Sequence, residues 1–471
     1  MPSKNELTEI LQKIDEREPE RSRLVRYYEG KQPLTFLSPE AIENLGNRLS
    51  TVSVNVPRLV VETIAERLRV TGFTKPEVWG SWLGNDMDTL SSVVHREALL
   101  LGEAYVIVWA DSAGRPLVSV ESATQMAVTT DPGTRAITSA VKRWSTKDAT
   151  HAVWYGPDQI VRYKARSVGA TTTGFEVVET IDNPLGRVPV VVFRNGGRLL
   201  TRGVSEMLDV LPLTDALVKL TTDLLTASET AARPRRWATG IEPVRPDDET
   251  IEDEEPDEDL VNPYGETDKM MIAEPPDAKF GQLPAADLVG YENAVSIIMR
   301  EISAVSGLPD HMLGLAGSNP TSADSIRASE ATLTAKAEAR QGNFGRSWRQ
   351  VAQLILAVES GADPALFDVG VKWADPSTRS AAQEADAVTK LAQAGILPAS
   401  IALERLGYDS DEIARIEAAK DREAARASIA DVQARADLAR NLEGQGMNQP
   451  ASLAAAGLFA AANETRNGEA S

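Results

Sequence analysis

Two stretches of the chain carry apolar residues at a strict helical rhythm. In the first, Leu213, Leu217, Leu220, Leu224, Ala227 and Ala231 follow one another at spacings of 4, 3, 4, 3 and 4. In the second, Leu288, Tyr291, Val295, Ile298, Ile302 and Val305 follow at 3, 4, 3, 4 and 3. Such narrow seams pack helix on helix, and Gly307 with Pro309 closes the second as a C-cap pair. Residues 5–17 and 39–49 are amphipathic helices by the same criterion, and "VPRLVVETIAERLRV" adds another with Pro57 near its start. From about Glu103 to Arg194 the rhythm shortens. "AYVIVWA", "PLVSV", "AITSAVKRW", "QIVRYKA", "FEVVETI" and "VPVVVF" are separated by turn signals such as "DPGT" and "NPLG". That pattern predicts an antiparallel, meander-like β region rather than a βαβ repeat.

Between the two seams, residues 233–285 hold strand-like "RRWATGI" and "DKMMIAE", several prolines and the acidic run "DDETIEDEEPDED". After the second seam, "SGLPDHMLGLAGSNPTS" is glycine-rich and nearly uncharged, and it runs into an alanine-rich helix. Thr321 and Asp324 fit a capping box at that helix start, with Ser322 as the alternative cap. Helical composition continues to about Ser360, and Gly342 and Gly345 predict a kink. A short strand and turn in "LFDVGVKWADP" precede three helices at about 377–394, 398–406 and 410–443. Residues 444–471 are polar and small, expected to be disordered apart from "ASLAAAGLFAAA".

Composition narrows the functional classes. A chain of 471 residues, 42% hydrophobic and 25% charged, predicts a folded soluble protein of two to four structural units. Cysteine is absent, which excludes disulfides, thiolate metal sites and a cysteine nucleophile. The charged N-terminus lacks the apolar core of a signal peptide, and the longest apolar runs fall short of the ~20 residues a membrane helix needs. A net charge of −20 is the opposite of a protein that grips DNA by neutralising phosphates, so any contact with nucleic acid should be weak or local.

Catalytic chemistry is nearly absent from the pattern. His95, His151 and His311 have no zinc-site spacing and read as structural or exposed. There is no GxSxG elbow. "GLAGSNPTS" lacks the lysine of a phosphate loop, and the acidic run 247–259 lacks the alternating ligands and glycine of a calcium loop. No catalytic residue, metal or cofactor is expected, and the chain reads as a non-enzyme. The acidic run is a solvated loop or a docking patch for a basic partner.

The order of parts resembles a known architecture. "RYYEG…NVPRLVVETIAERL", the two seams bracketing a small β module, "SGLPDHMLG", "NPTSADSIRASEA" and "WADP" are together similar to the portal proteins of tailed double-stranded DNA phages, in particular the siphophage type, over about residues 5–440. The resemblance implies an α+β, helix-rich fold with a long kinked helix and antiparallel β regions. It divides the chain into a wing (1–205 with 322–376), stem helices (206–232 and 286–307), a clip (233–285), a tunnel loop (308–321) and a crown (377–443), with a tail at 444–471. It implies a homo-oligomeric ring of twelve at one capsid vertex. The terminase large subunit would drive double-stranded DNA through that ring, and a head–tail connector would retain and release it. The major capsid protein and a scaffold would be further partners, with no membrane involved. The protein would reside in the virion, after assembly in the host cytoplasm.

Placed on this sequence, the resemblance puts Gly314, Leu315, Ala316, Gly317, Ser318 and Asn319 at the tunnel-loop tip; without it, the stretch is an ordinary interhelical loop. Arg300, Lys336 and Arg340 are candidates for facing DNA, or else form weak surface ion pairs. Arg233, Arg235 and Arg236, with Asp253, Glu254 and Glu255, are candidates for docking at the clip. The seams serve either a hairpin within one subunit or contacts around a ring that closes by rotation. A rival reading is an acidic helical module that binds protein and never meets DNA.

Overall fold

The structure, a computed structural model, describes residues 2–33, 54–198, 202–232, 236–239, 277–282, 288–315, 322–377, 381–406, 408, 410–446, 448–449 and 452. The chain divides into two compact units, Met1–Ser377 and Thr378–Ser471.

Helix α1 (Lys4–Asp15) starts at Ser3, whose side chain accepts a hydrogen bond from the Glu6 amide. Its buried stripe, Leu7, Ile10, Leu11 and Ile14, has the i, i+3, i+4, i+7 spacing of one helical face. The chain turns at Glu16 and continues as α2 (Glu18–Tyr28). Helix α3 (Val56–Ala65) is capped by Asn55 and carries Pro57 in its first turn, as its sequence predicts. The helix expected at 39–49 lies outside the described residues.

Strand β1 (Val70–Phe73), α4 (Glu77–Gly84) and α5 (Met87–Leu101) lead into two antiparallel sheets. One is three-stranded, ordered β3 (Pro116–Ser122), β2 (Glu103–Ala110), β9 (Val190–Arg194). The other is a five-stranded meander of β4 (Met126–Thr130), β5 (Ile137–Ser145), β6 (Thr150–Tyr155), β7 (Gln159–Ala165) and β8 (Glu176–Asp182). Period-two alternation sends Trp154, Val161 and Tyr163 toward α1. Val153, Tyr155 and Ile160 face the other way, into a cleft of about 600 Å³ shared with Ile107 and Leu117 of the three-stranded sheet.

Helix α6 (Leu211–Ala232) ends before a two-stranded ribbon, β10 (Arg236–Thr239) with β11 (Lys279–Gln282). The strand expected in "DKMMIAE" lies outside the described residues. Helices α7 (Val289–Ser306) and α8 (Ala323–Ser360) follow. Helical geometry in α8 runs unbroken through Gly342 and Gly345. A Cβ on Gly345 would lie 3.3 Å from the Trp373 indole nitrogen, so this glycine admits a tryptophan against the helix backbone.

The second half of α8 supplies two of the largest side chains of the core, Phe344 and Trp348. Trp82, Phe193, Phe344 and Trp348 are fully buried, and Trp348 packs edge-on against Phe193 at 4.4 Å and Trp82 at 4.9 Å between centroids. His95 stacks on Phe344. Its Nδ1 lies 3.1 Å from the Leu68 carbonyl, and its Nε2 accepts the Trp348 indole N–H at 2.8 Å. Those partners fix one neutral tautomer, with Nδ1 donating. Complete burial pushes the imidazole pKa down to about 3, against a small opposing effect of the Leu68 carbonyl. This histidine is a core residue. Strand β12 (Val371–Trp373) pairs with β1, joining residues 70–73 to 371–373, and Thr74 and Gly370 exchange two further hydrogen bonds.

The second unit holds α9 (Ala381–Gln393), α10 (Ala399–Arg405) and α11 (Ser410–Gly444), close to the three helices expected there. Gly395 takes the left-handed conformation, φ 70°, after α9.

Candidate functional site

The turn after α7 is held by backbone, side chains and a neighbouring helix together. Gly307 has φ 74°, and its amide donates to the Ser303 carbonyl. A Cβ there would come within 3.0 Å of Thr332 and 3.3 Å of Lys336, so left-handed backbone and close helix approach both require glycine. The Ser303 hydroxyl lies 2.8 Å from the Leu308 carbonyl and 2.6 Å from an Asp310 carboxylate oxygen. A short 3₁₀ turn, Asp310–Leu313, then ends at Gly314 with φ 70°. Leu308 and Leu313 are buried, and Leu315 packs partly against the same core.

Helix α8 reaches back to this turn at two points and to the segment before α6 at a third. Lys336 Nζ donates to the Ser306 carbonyl at 2.6 Å, which satisfies one of the orphan acceptors of α7 and places a cation at its negative end. Glu330, with a side chain 5% exposed, accepts from Arg67 at 3.0 Å and lies 3.6 Å from His311 Nε2. Arg340 Nε donates to Glu206 Oε1 at 2.7 Å, its Nη2 contacts the same oxygen, and Asn195 Nδ2 donates there at 2.9 Å. Glu206 precedes α6, so α6, α7 and α8 are joined at the base of the loop.

The helix on the far side of the loop starts at Ala323. Ser322 is extended, and Ser322 and Ser325 form a reciprocal capping box: the Ser325 amide donates to Ser322 Oγ at 3.2 Å and the Ser322 amide to Ser325 Oγ at 3.3 Å. Ser322, the alternative named from sequence, is therefore the cap. The hydroxyl of an extended serine reaches the third amide of the helix directly.

Of the residues singled out in the sequence, Gly314 and Leu315 form the described end of the loop. Ala316, Gly317, Ser318 and Asn319 lie outside the described residues, as do Arg233, Arg235, Asp253, Glu254 and Glu255. Arg236 opens β10, opposite Gln282. Arg300 is exposed on α7. Lys336 and Arg340 direct donors to acceptors within the protomer, as described above. Sequence reasoning did not single out Glu206, Glu330 or Ser303. The first two act across 134 and 263 residues of chain, and no spacing rule connects such distant pairs.

Among the described residues, no group of three or more His, Asp or Glu is placed to hold a metal ion. His151 stacks on Trp144 at 5.4 Å, and His311 leans on Glu330. Among the described residues, no helix is long and apolar enough to cross a membrane. What the arrangement provides is a firmly anchored turn after α7, tied to α8 by side-chain contacts.

Residues 7–426 match the family described as "Phage portal protein, SPP1 Gp6-like". The portal protein of Mycobacterium phage D29 is 30% identical over 387 residues, which cover 76% of this chain and 77% of that protein. The portal protein of Mycobacterium phage L5 is 29% identical over 385 residues, 76% of each. A solved neck of a native GTA particle, computed with C12 symmetry, is 16% identical with a TM-score of 0.47, over 83% of this chain and 94% of that one. With the match spanning both sheets, both seam helices and the long helix, the chain belongs to the phage portal protein family, structural virion proteins that form the channel through which the genome is packaged and ejected.

Proposed function

We propose that the chain assembles head to tail into a ring of twelve around the DNA, at one capsid vertex. Exposed aliphatic side chains on the two seam helices carry this reading. Helices α6 and α7 bury Leu217, Val218 and Ile302 inside the protomer, yet Leu225, Val289, Ile297 and Val305 remain 38%, 61%, 53% and 46% exposed. The seams thus pack within the protomer, while aliphatic residues mostly beside them offer apolar surface to a neighbour.

In this reading residues 206–232 and 286–307 are the stem, 233–285 the clip, and 1–205 with 322–376 the wing. Residues 377–443 are the crown, all but Ser377 within the second compact unit, and 308–321 are the tunnel loop, its tip at Gly314 to Asn319. Arg300, exposed on the second stem helix, faces the DNA. Lys336 and Arg340 add positive charge at the loop base while holding their partners within the protomer. The clip, with Arg233, Arg235, Arg236, Asp253, Glu254 and Glu255, docks the terminase large subunit and then the head–tail connector. The wing meets the major capsid protein and scaffold. Assembly takes place in the host cytoplasm, and the chain acts as a structural protein rather than an enzyme, without a cofactor. Surplus negative charge suits a duplex that must slide rather than be gripped.

Native mass spectrometry with negative-stain imaging of the purified protein tests the reading. Rings of twelve, or a near neighbour, with a hole as wide as a duplex are expected. A monomer or dimer at every concentration, with capsid protein and scaffold present, would replace the ring by the protein-binding module.

A further inference from the structure

Arg21, at 1% exposure, is among the largest fully buried side chains in the molecule. Its Nε and Nη1 are buried and meet no acceptor, and Arg17 Nη1 is in the same condition. Glu103 Oε2 lies 4.0 Å from Arg17 Nη1, too far for a hydrogen bond. Glu103 is itself already engaged: the Tyr105 hydroxyl donates to it at 3.0 Å, the Gly203 amide at 3.4 Å, and Arg194 Nε lies 3.8 Å off. Glu20 is taken by Arg17 Nε at 3.2 Å.

Positive charge is therefore in surplus here. The guanidinium groups of Arg17, Arg21, Arg194 and Arg202 face the carboxylates of Glu20 and Glu103. Burial depresses the Arg21 pKa, and the charges of Arg17 and Arg202 depress it further, against Tyr105 and Glu103. Lys13 feels the same field, lowered by burial and then by Arg202. Arginine keeps its proton in proteins, so the cluster cannot relieve itself by deprotonation. Water could satisfy the idle donors but could not offset the charge. Beside the cluster, Arg17, Glu20, Arg202, Gly203 and Ser205 line a recess of about 180 Å³, several times the ~30 Å³ share of one water.

We propose that this recess is an oxyanion site, in which Arg17 and Arg202 bind one phosphate or carboxylate group and buried Arg21 supplies the charge that favours it. Arginine's planar fork suits both groups. The anion is either free in solution or the carboxylate of a second copy of this chain, which carries 69 acidic against 49 basic residues. As a free-anion site it stands independently of the ring proposed above, and as a site for a second copy's carboxylate it rests on that assembly.

The test compares full-length wild type with Arg202→Gln and Arg21→Met, in chloride at fixed ionic strength, with and without millimolar inorganic phosphate. A free-anion site predicts a saturable rise of several degrees in the wild-type melting midpoint, in dilute and assembled protein alike, absent from both variants. A carboxylate from a second copy predicts the phosphate rise in dilute protein only. It also predicts that Arg202→Gln requires several-fold more protein to assemble. Either result supports the site. A phosphate response equal in all three proteins would be a general salt effect and would overturn it. So would the absence of any phosphate response combined with unchanged assembly. Arg202 is exposed, so its variant keeps the experiment decisive if Arg21→Met does not fold.

Discussion

Lys336 Nζ lies 2.6 Å from the Ser306 carbonyl oxygen, so a lysine on the long helix closes the last turn of the helix before the loop. A hydrogen bond from a charged donor contributes about 1.5–3 kcal/mol when intact, and water competes at this half-buried site. Lys336→Met should therefore lower stability by about 1 kcal/mol in urea denaturation. The sharper readout is local. Amide exchange at Gly307 and Leu308 should accelerate by about tenfold or more, while exchange in the three-stranded sheet stays as in wild type. Unchanged protection at those two amides would mean that the lysine is not what holds the turn.

Arg340 and Glu206 make a more buried pair, with side chains 19% and 8% exposed. Removing the arginine alone leaves a carboxylate supported by Asn195 and little else. Breaking one side of a buried pair costs about 3–5 kcal/mol, so Arg340→Ala should lose about 3 kcal/mol. Arg340→Met combined with Glu206→Gln should recover most of that, because no unpaired charge remains. A double variant as unstable as the single one would place the contribution in packing rather than in charge.

Acid sensitivity should trace to His95. Its folded pKa of about 3 lies below the unfolded value of 6.5, so the unfolded chain binds a proton that the native core refuses. The stabilising contribution is present above the unfolded value and is lost as pH falls toward the folded one. The loss is about 1.4 kcal/mol per pH unit, or roughly 2 kcal/mol on going from pH 7 to 5. His95→Gln can still donate to Leu68 and accept from Trp348 without titrating. Its stability should fall less between those two values, measured by denaturation at each. An equal fall in both proteins would assign the sensitivity to carboxylates elsewhere.

Local chemistry made much of this fold legible. Helix starts at Asn55 and Ser322 and stops at Gly307 and Gly395 are written in one or two residues each, and the seams of α6 and α7 repeat without interruption. The meander was readable as a region, but β4 ("MAVTT") and β6 ("THAVWY") were passed over because small and polar residues interrupt their apolar alternation. Strand β1 could not be found from its four residues, "VTGF", since its partner β12 lies some 300 residues away and pairing is its only distinction. Helix α8 continues through Gly342 and Gly345 with Phe344 and Trp348 of the same helix fully buried, and core packing of that kind outweighs glycine's local preference. At the loop, the sequence indicated the small uncharged tip; the clamp of Glu206, Glu330, Lys336 and Arg340 appears only once the chain is folded.

That clamp bears on the proposed tunnel loop. The turn is fixed as far as Leu313 by Ser303, Asp310, His311 and the buried leucines, and the long helix begins again at Ser322 with its own cap. Deleting Gly314 to Ser318 removes the Gly314 cap of the 3₁₀ turn and the partly buried Leu315. It leaves the Ser303–Asp310 contact, the buried Leu308 and Leu313 and the exposed aliphatic residues on α6 and α7 assigned to neighbour contacts. Rings should therefore form in normal yield from the deleted protein, as counted by native mass spectrometry. Packaging or retention of DNA should fail, because the small uncharged tips assigned to narrowing the bore are gone. The loop carries no charge between Gly314 and Ser318, so its removal should leave affinity for linear duplex DNA unchanged and weak, in the range of about 10⁻⁴–10⁻⁶ M typical of non-specific contact at physiological salt. Nanomolar binding by either protein would contradict a sliding channel. Loss of rings on deletion would instead place these residues in subunit contacts, and the tunnel-loop assignment would fall with it.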